Sequence, residues 1–295
     1  MNRTIKEPTR ARRAISVRSN DEPSKAADLW LSDRIVNVYV GREARQWSIH
    51  EKLFASKSSF FREEFYKLKN QQDNKYALGA RKRPASELDQ PDKANAAGNP
   101  ITAQSMRGDE DKLSLELPGE DPKLFAVVVR WVYGVTFAKR CDLATMGTSS
   151  LTVRERMALY ILACKLDIEG LKNAAVDLVY DHFHAGLNPG DKRRCPDMRD
   201  VQYVFDHTPE GSPLRRLLIV TSLFYLFSVK DPGEAGIELP QSWKAVLVSN
   251  GEIGFEIIKM ANSWRWVIGI TCPSMTIKKR CSFHEHTDGL VVCEE

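Results

Sequence analysis

The sequence predicts an α+β protein, with a small mixed sheet capped by a cluster of helices and an all-α C-terminal extension. Two short β-rich runs, Ile35–Val40 and residues 46–49, surround a turn that begins at Gly41 and predict a β-hairpin. Residues 113–117 alternate between apolar and polar, which is typical of a strand. From Leu124 onward, strongly apolar segments with capping signals predict a series of helices.

Length and composition are those of an ordinary globular protein. The chain has 295 residues, of which 42% are hydrophobic and 28% are charged, so a sizeable core is expected. The net charge of +4 is small and diffuse, and it does not by itself indicate a nucleic-acid partner. The longest apolar run, at 217–229, is shorter than the ~20 residues that span a bilayer, so we expect a buried helix and no membrane partner.

The N-terminal residues 1–27 are polar and basic, and they predict a disordered arm. A mitochondrial presequence is the alternative, but Pro8 and the few large apolar residues favour the plain arm. The 6 cysteines are widely scattered, which favours a reducing compartment without disulfides. We therefore expect the protein in the cytoplasm or the nucleus.

Two helices are expected after the hairpin, because apolar residues are too numerous between Trp47 and Phe65 for a solvated helix. Serines at positions 56, 58 and 59 predict a break at which a hydroxyl caps the second helix. From about residue 69 to residue 111 the chain is polar and rich in turn formers, which predicts a disordered insertion.

Capping signals predict where the later helices begin. Asp121 and Pro122 are placed to cap and open one helix, and Thr152 forms a predicted capping box with Glu155. Pro213 is expected to open a long helix. The predicted helices cover 124–133, 152–166, 168–184, 197–206, 213–229, 240–248 and 255–266. Arg215 and Arg216 are expected on the exposed side of the helix at 213–229. His182 and His184 are expected near the C-terminus of the helix at 168–184.

The segment HEKLF at 50–54 is one residue short of the zinc-protease motif His-Glu-x-x-His. That motif needs two histidines four positions apart, so that both imidazoles reach one metal ion. Phe54 occupies the second position and cannot bind metal, so packing is the favoured interpretation of this helix. No set of nucleophile, base and oxyanion donors can be assembled elsewhere, and we expect neither enzymatic activity nor a small-molecule substrate.

The C-terminal tail contains Cys281, His284, His286 and Cys293, which are residue types that zinc prefers. In an extended segment the two histidines point to the same side, so both can face one ion. The spacing matches no standard zinc finger, and the alternative is a polar tail with two solvated histidines and reduced thiols, anchored by Phe283 if it packs. The cluster is a candidate structural zinc site; no other cofactor and no catalytic metal are expected.

The segment RKRPAS at 81–86 has two interpretations besides a solvated loop. Its basic residues resemble a short nuclear-import signal, and Ser86 is a candidate site for a basophilic kinase. Such short strings recur by chance, so a solvated linker is the favoured interpretation.

Several longer motifs occur in the order found in a known family. They are VG at 40–41, WSIH at 47–50, SKSSFF at 56–61, LPGEDP at 117–122, VRWVYG at 129–134 and LYILACKLDIEGLKN at 159–173. Together they resemble a BTB/POZ domain. The segments YVFDHTPEGSPLRRLL at 203–218 and CSFHEH at 281–286 resemble the helical extension of BTB proteins from filamentous fungi.

The resemblance implies a BTB/POZ domain at 28–184, interrupted by the insertion, and a helical C-terminal extension with a Cys/His tail at 185–295. It implies a non-enzymatic oligomerisation scaffold or adaptor whose partners are another copy, another BTB protein or a cullin-type ubiquitin ligase. The predicted partner surface comprises Trp47, His50, Phe54, Phe60, Phe61, Phe65, Phe125, Trp131 and Tyr133, because large aromatic side chains dominate such surfaces. The alternative is a nuclear regulator with weak, salt-dependent nucleic-acid contact through the basic arm and loop.

Overall fold

The computed structural model describes residues 34–80, 113–137, 143, 148–184, 195–228, 241–265 and 280–286, which form a mixed α+β structure. The strands are β1 (Ile35–Val40), β2 (Arg45–His50) and β3 (Ser114–Leu117). The helices are α1 (Glu51–Lys57), α2 (Ser59–Ala80), α3 (Pro122–Phe137), α4 (Val153–Lys165), α5 (Glu169–His184), α6 (Met198–His207), α7 (Pro213–Ser228), α8 (Gln241–Ser249) and α9 (Gly251–Arg265). The predicted arm at 1–27, most of the predicted insertion, Ser86 and Cys293 lie outside the described residues.

The three strands form one sheet in the order β2-β1-β3. β1 and β2 are antiparallel, with Val36 opposite Ile49, whereas β3 runs parallel to β1 and places Leu115 opposite Val38. The predicted hairpin and the predicted strand at 113–117 are therefore confirmed, and they share a sheet. Val36, Val38 and Val40 alternate along β1 and are fully buried, so the central strand presents one face to the core.

Gly41 connects the hairpin to the rest of the fold. Its φ of +78° lies in the left-handed region, where residues with a side chain are strained. A Cβ at this position would also lie 2.7 Å from Cγ of Pro122, the first residue of α3. The hairpin turn can approach the start of α3 this closely because residue 41 is a glycine.

The predicted helix starts at 58–59, 121–122 and 152–153 are confirmed. The Ser58 hydroxyl accepts a hydrogen bond from the Phe61 amide at 3.1 Å, which caps α2 at the break after α1. Thr152 and Glu155 form the full capping box at the start of α4. The Lys123 ammonium and Thr152 hold the pKa of Glu155 at about 2, so this carboxylate stays charged at the helix N-terminus.

The predicted boundary of the insertion is wrong for residues 69–80, since α2 continues as a helix to Ala80. The segment is polar, but it contains no proline that would end the helix. Where it begins, Lys69 pairs with Glu51 of α1 at 2.5 Å, and in the preceding turn Lys67 pairs with Glu64 at 2.6 Å. The polar residues of this segment therefore belong to a solvated helix, and the helix does not end where they begin.

Helix α6 packs against α4 and helix α7 against α5, while α8 and α9 pack on α6 and α7. These helices share one hydrophobic cluster with the sheet. Trp243 of α8 is one of the largest fully buried side chains of this cluster. α9 begins at Gly251, four residues before the predicted start at 255, because the side chain of Asn250 accepts a hydrogen bond from the Glu252 amide at 3.0 Å. Among the described helices, none combines the length and apolar character needed to cross a membrane.

The burial of Arg215 contradicts the prediction that this side chain is exposed. The residue is 9% exposed, and its guanidinium donates to the carbonyls of Phe205 and Thr208 at the end of α6. Arg216, by contrast, is exposed as predicted. The period of an amphipathic helix could not show this difference, because the carbonyls that bind Arg215 belong to a different helix.

His184 ends α5 in a setting different from the one expected for a protonated imidazole at a helix C-terminus. Its ring stacks on Tyr180 with 4.3 Å between centroids, and its Nε2 atom is buried without a hydrogen-bond partner in the described structure. Burial lowers the pKa of His184 below its ordinary value, although the Tyr180 carbonyl and Asp181 oppose this effect. The folded protein therefore favours the neutral ring.

We expect the free energy of unfolding to fall as the pH drops from about 6.5 through the lower folded-state pKa of His184, because the unfolded chain binds the proton more readily. Replacing His184→Phe should flatten this slope in urea-unfolding curves measured at a series of pH values. His207→Phe is the matched control, since His207 also contacts a tyrosine four residues earlier at a helix end but is exposed. Equal slopes in wild type and His184→Phe would contradict the prediction.

Candidate interaction surface and candidate metal cluster

The aromatic residues around α1 and α2 form a ring cluster inside the protein. Phe54 meets Phe61 edge to face with centroids 5.2 Å apart, and Phe61 also lies 5.5 Å from Phe65 and 6.5 Å from Phe125. All four side chains are at most 1% exposed. This arrangement combines hydrophobic burial with favourable ring contacts and fixes α1 and α2 against α3.

The predicted partner surface is corrected accordingly. Phe54, Phe61, Phe65, Phe125 and Trp131 are at most 7% exposed, so a partner cannot contact them without disrupting the core. Sequence reasoning could not separate core from surface here, because aromatic residues have the same hydrophobic character in both places.

The remaining residues of the predicted surface, Trp47, His50, Phe60 and Tyr133, are partly exposed. Trp47 stands edge-on to the buried Phe125 with centroids 5.3 Å apart. Its indole is also contacted by the Arg45 guanidinium at 5.0 Å, a favourable cation–π arrangement. Both residues belong to β2, the edge strand of the described sheet, and residues 45–48 of this strand are exposed or partly exposed.

His50 joins the end of β2 to α3. Its Nδ1 atom lies 2.7 Å from the Tyr133 hydroxyl, and its backbone N–H donates to the same oxygen at 3.3 Å. Burial raises the pKa of Tyr133, so the hydroxyl stays protonated at neutral pH. Phe54 lies in the core and Glu51 pairs with Lys69, so α1 packs against the rest of the fold, as the packing interpretation predicted.

The C-terminal turn brings Cys281, His284 and His286 together. One potential ligand atom from each residue lies within 4.8 Å of the others, and the Cys281 thiol is 3.2 Å from Nε2 of His286. Three residues of the predicted zinc set thus occupy one place, whereas Cys293 lies outside the described residues. Phe283 is 5% exposed and packs near Tyr180, so it anchors the turn. The His284 side chain is 8% exposed and bound to Asp177, and it is therefore not the solvated histidine of the alternative interpretation.

Comparison with known proteins gave no relative. No family model matches the chain, and no curated protein matches it at a significant level. The resemblance to BTB/POZ domains therefore stays a prediction from the motifs quoted above.

Sequence reasoning missed the residues of α5 that hold the C-terminal turn. Asn173 exchanges two hydrogen bonds with the backbone of Glu285, at 2.8 and 2.9 Å, and Lys172 donates to the Glu285 carboxylate at 3.1 Å. Asp177 accepts a hydrogen bond from Nε2 of His284 at 3.0 Å. The spacing of 173 and 177 places both side chains on one helix face, which is the signal that could have indicated a common target.

A cavity of about 220 Å³ lies between α6, α7 and α9. Four of its six charged lining residues form two ion pairs: Arg215 binds Glu252 at 2.6 Å, and Lys259 binds Glu256 at 3.0 Å. The first pair joins α7 to α9, whereas the second lies within α9.

Proposed function

We propose that this chain is a protein-interaction scaffold of the BTB/POZ type, which binds a second copy, another BTB protein or a cullin-type ubiquitin ligase. One observation carries the proposal. The hairpin of β1 and β2 pairs with the distant strand β3 in one sheet, next to α1 and α2, in the order that the resemblance implies. The later pair α4 and α5 packs closely, also as that resemblance implies.

The contact surface of this scaffold is formed by the partly exposed aromatic residues at β2 and the start of α2. Trp47 and His50 lie on the accessible strand, and each is supported from behind by a residue of α3, Phe125 and Tyr133 respectively. Phe60 lies edge-on to the buried Phe61 with centroids 5.4 Å apart. Rigid aromatic side chains that are already supported by a core lose little conformational entropy when a partner covers them.

We expect the purified protein to sediment above its monomer mass of 33.4 kDa at micromolar concentration or, if monomeric, to bind a purified cullin. Phe60→Glu should weaken this association by about tenfold or more, since a charge at the contact must be desolvated. Analytical ultracentrifugation with a pull-down on the same samples measures both modes.

Phe255→Glu is the matched control. Phe255 is 64% exposed on α9 and lies outside the proposed surface, so its replacement should leave the association unchanged. Monomeric behaviour at all concentrations together with no binding to a BTB protein or a cullin would contradict the proposed function. If Phe255→Glu loses association while Phe60→Glu keeps it, the contact lies outside the residues at β2 and α2, and the proposed surface is contradicted.

A further inference from the structure

We propose that Cys281, His284 and His286 hold a structural zinc ion that fastens the C-terminal turn to α5. Thiolate and imidazole are the two donor types that structural zinc sites use most. The three residues come from one short turn, and that turn lies on α5 and α7. This inference is independent of the proposed function, because the cluster is separate from the aromatic residues at β2 and α2.

The distances are close to those of a tetrahedral site. With Zn–S near ~2.3 Å and Zn–N near ~2.0–2.1 Å, neighbouring donors of a tetrahedron are separated by roughly 3.3–3.6 Å. The thiol of Cys281 and Nε2 of His286 are already 3.2 Å apart, and all three donor atoms lie within 4.8 Å of one another.

The contacts of the imidazoles indicate which nitrogens bind the ion. Nε2 of His284 is 3.0 Å from Asp177, so in the proposed site this ring binds zinc through Nδ1 while Asp177 holds Nε2. A carboxylate that accepts the second N–H of a ligating histidine is a common feature of zinc sites, where it fixes the orientation of the ring. For His286, Nε2 faces the thiol and is the ligand atom.

The turn is held in place by contacts that do not involve the donor atoms. The side-chain amide of Asn173 donates a hydrogen bond to the Glu285 carbonyl and accepts one from the Glu285 amide. Arg216 donates to the Ser282 carbonyl. Phe283 is buried between these contacts, with the Arg216 guanidinium 5.7 Å from its ring. An ordered backbone reduces the entropy lost when zinc binds, so the site is preorganised.

The test uses the full chain, purified from a zinc-supplemented culture without chelators. Elemental analysis should find about one zinc ion per chain, and replacement by Co²⁺ should give the visible spectrum of a tetrahedral site with a sulfur-to-metal charge-transfer band. Cys281→Ser should abolish that band and lower the zinc content. Cys195→Ser is the matched control, because Cys195 is a free cysteine outside the cluster and burial raises the pKa of its thiol to about 12.

A second variant keeps the proposal testable if Cys281→Ser fails to fold. Asp177→Asn retains all three donors and should weaken zinc binding by about 10- to 100-fold in competition with a chromophoric chelator. The proposal is overturned if wild-type protein holds no zinc and shows no Co²⁺ spectrum. It is also overturned if Cys281→Ser binds the metal as tightly as wild type, which would leave the turn as a packed thiol–imidazole pair.

Discussion

Replacing Phe61→Ala is expected to lower the free energy of unfolding by about 3–5 kcal/mol, because a fully buried ring is lost and a cavity remains. Phe61 contacts the rings of Phe54, Phe60, Phe65 and Phe125, which belong to three different helices. These neighbours are held by their own helices and cannot close together around the gap. Urea unfolding followed by circular dichroism measures the change.

Tyr66→Ala is the control for this substitution. Tyr66 lies on the same helix but is 66% exposed, so its removal should change the free energy of unfolding by less than about 0.5 kcal/mol. A loss below about 1 kcal/mol for Phe61→Ala would contradict the packing described here. If Phe61→Ala is too unstable to purify, Phe61→Leu keeps most of the apolar volume and should show a smaller loss in the same direction.

Replacing Arg215→Met is expected to lower the free energy of unfolding by about 3 kcal/mol, because it leaves buried acceptors unsatisfied. The last carbonyls of a helix have no partner within the helix, and Arg215 supplies partners for those of Phe205 and Thr208 at the end of α6. Its Nε atom also donates to the Thr208 hydroxyl at 3.0 Å. Methionine preserves the apolar stem of the side chain, so the loss reports the hydrogen bonds.

Glu252→Gln separates the hydrogen bonds of Arg215 from its ion pair. Glu252 pairs with Arg215 at 2.6 Å but is 50% exposed, and a solvated pair contributes less than about 1 kcal/mol. Thermal and urea unfolding of both variants should therefore give a large loss for Arg215→Met and a small loss for Glu252→Gln. Equal losses would show that the ion pair, and not the capping of α6, stabilises this region.

Local elements of the fold were predictable from short stretches of sequence. The hairpin around Gly41, the strand at 113–117 and the capping box at Thr152 each depend on residues within a few positions of one another. The α+β composition and the helical C-terminal region followed from the same local signals. The predicted start of α9 at 255 is wrong, because Asn250, a good capping residue, opens the helix at Gly251.

The candidate sites were predictable only in part. The residue types of the Cys/His turn indicated metal, and three of them do lie together. Their supports on α5, Asn173 and Asp177, lie more than a hundred positions earlier in the chain. The spacing of these two residues indicates a shared helix face, but it does not indicate which distant segment packs on that face. The burial of Arg215 was likewise invisible, because its partners Phe205 and Thr208 become acceptors only where α6 ends beside α7.

The amino-acid order alone determined where strands and helices begin, because φ/ψ preferences, capping hydrogen bonds and apolar periodicity act between near neighbours. Tertiary packing decided which aromatic side chains are core and which are accessible. Phe61 and Phe60 are adjacent and chemically identical, yet only the first is fully buried. The physical reason is that the burial of a side chain depends on the groups that surround it. The rings around Phe61 include Phe54 of α1 and Phe125 of α3, which only the folded chain brings together.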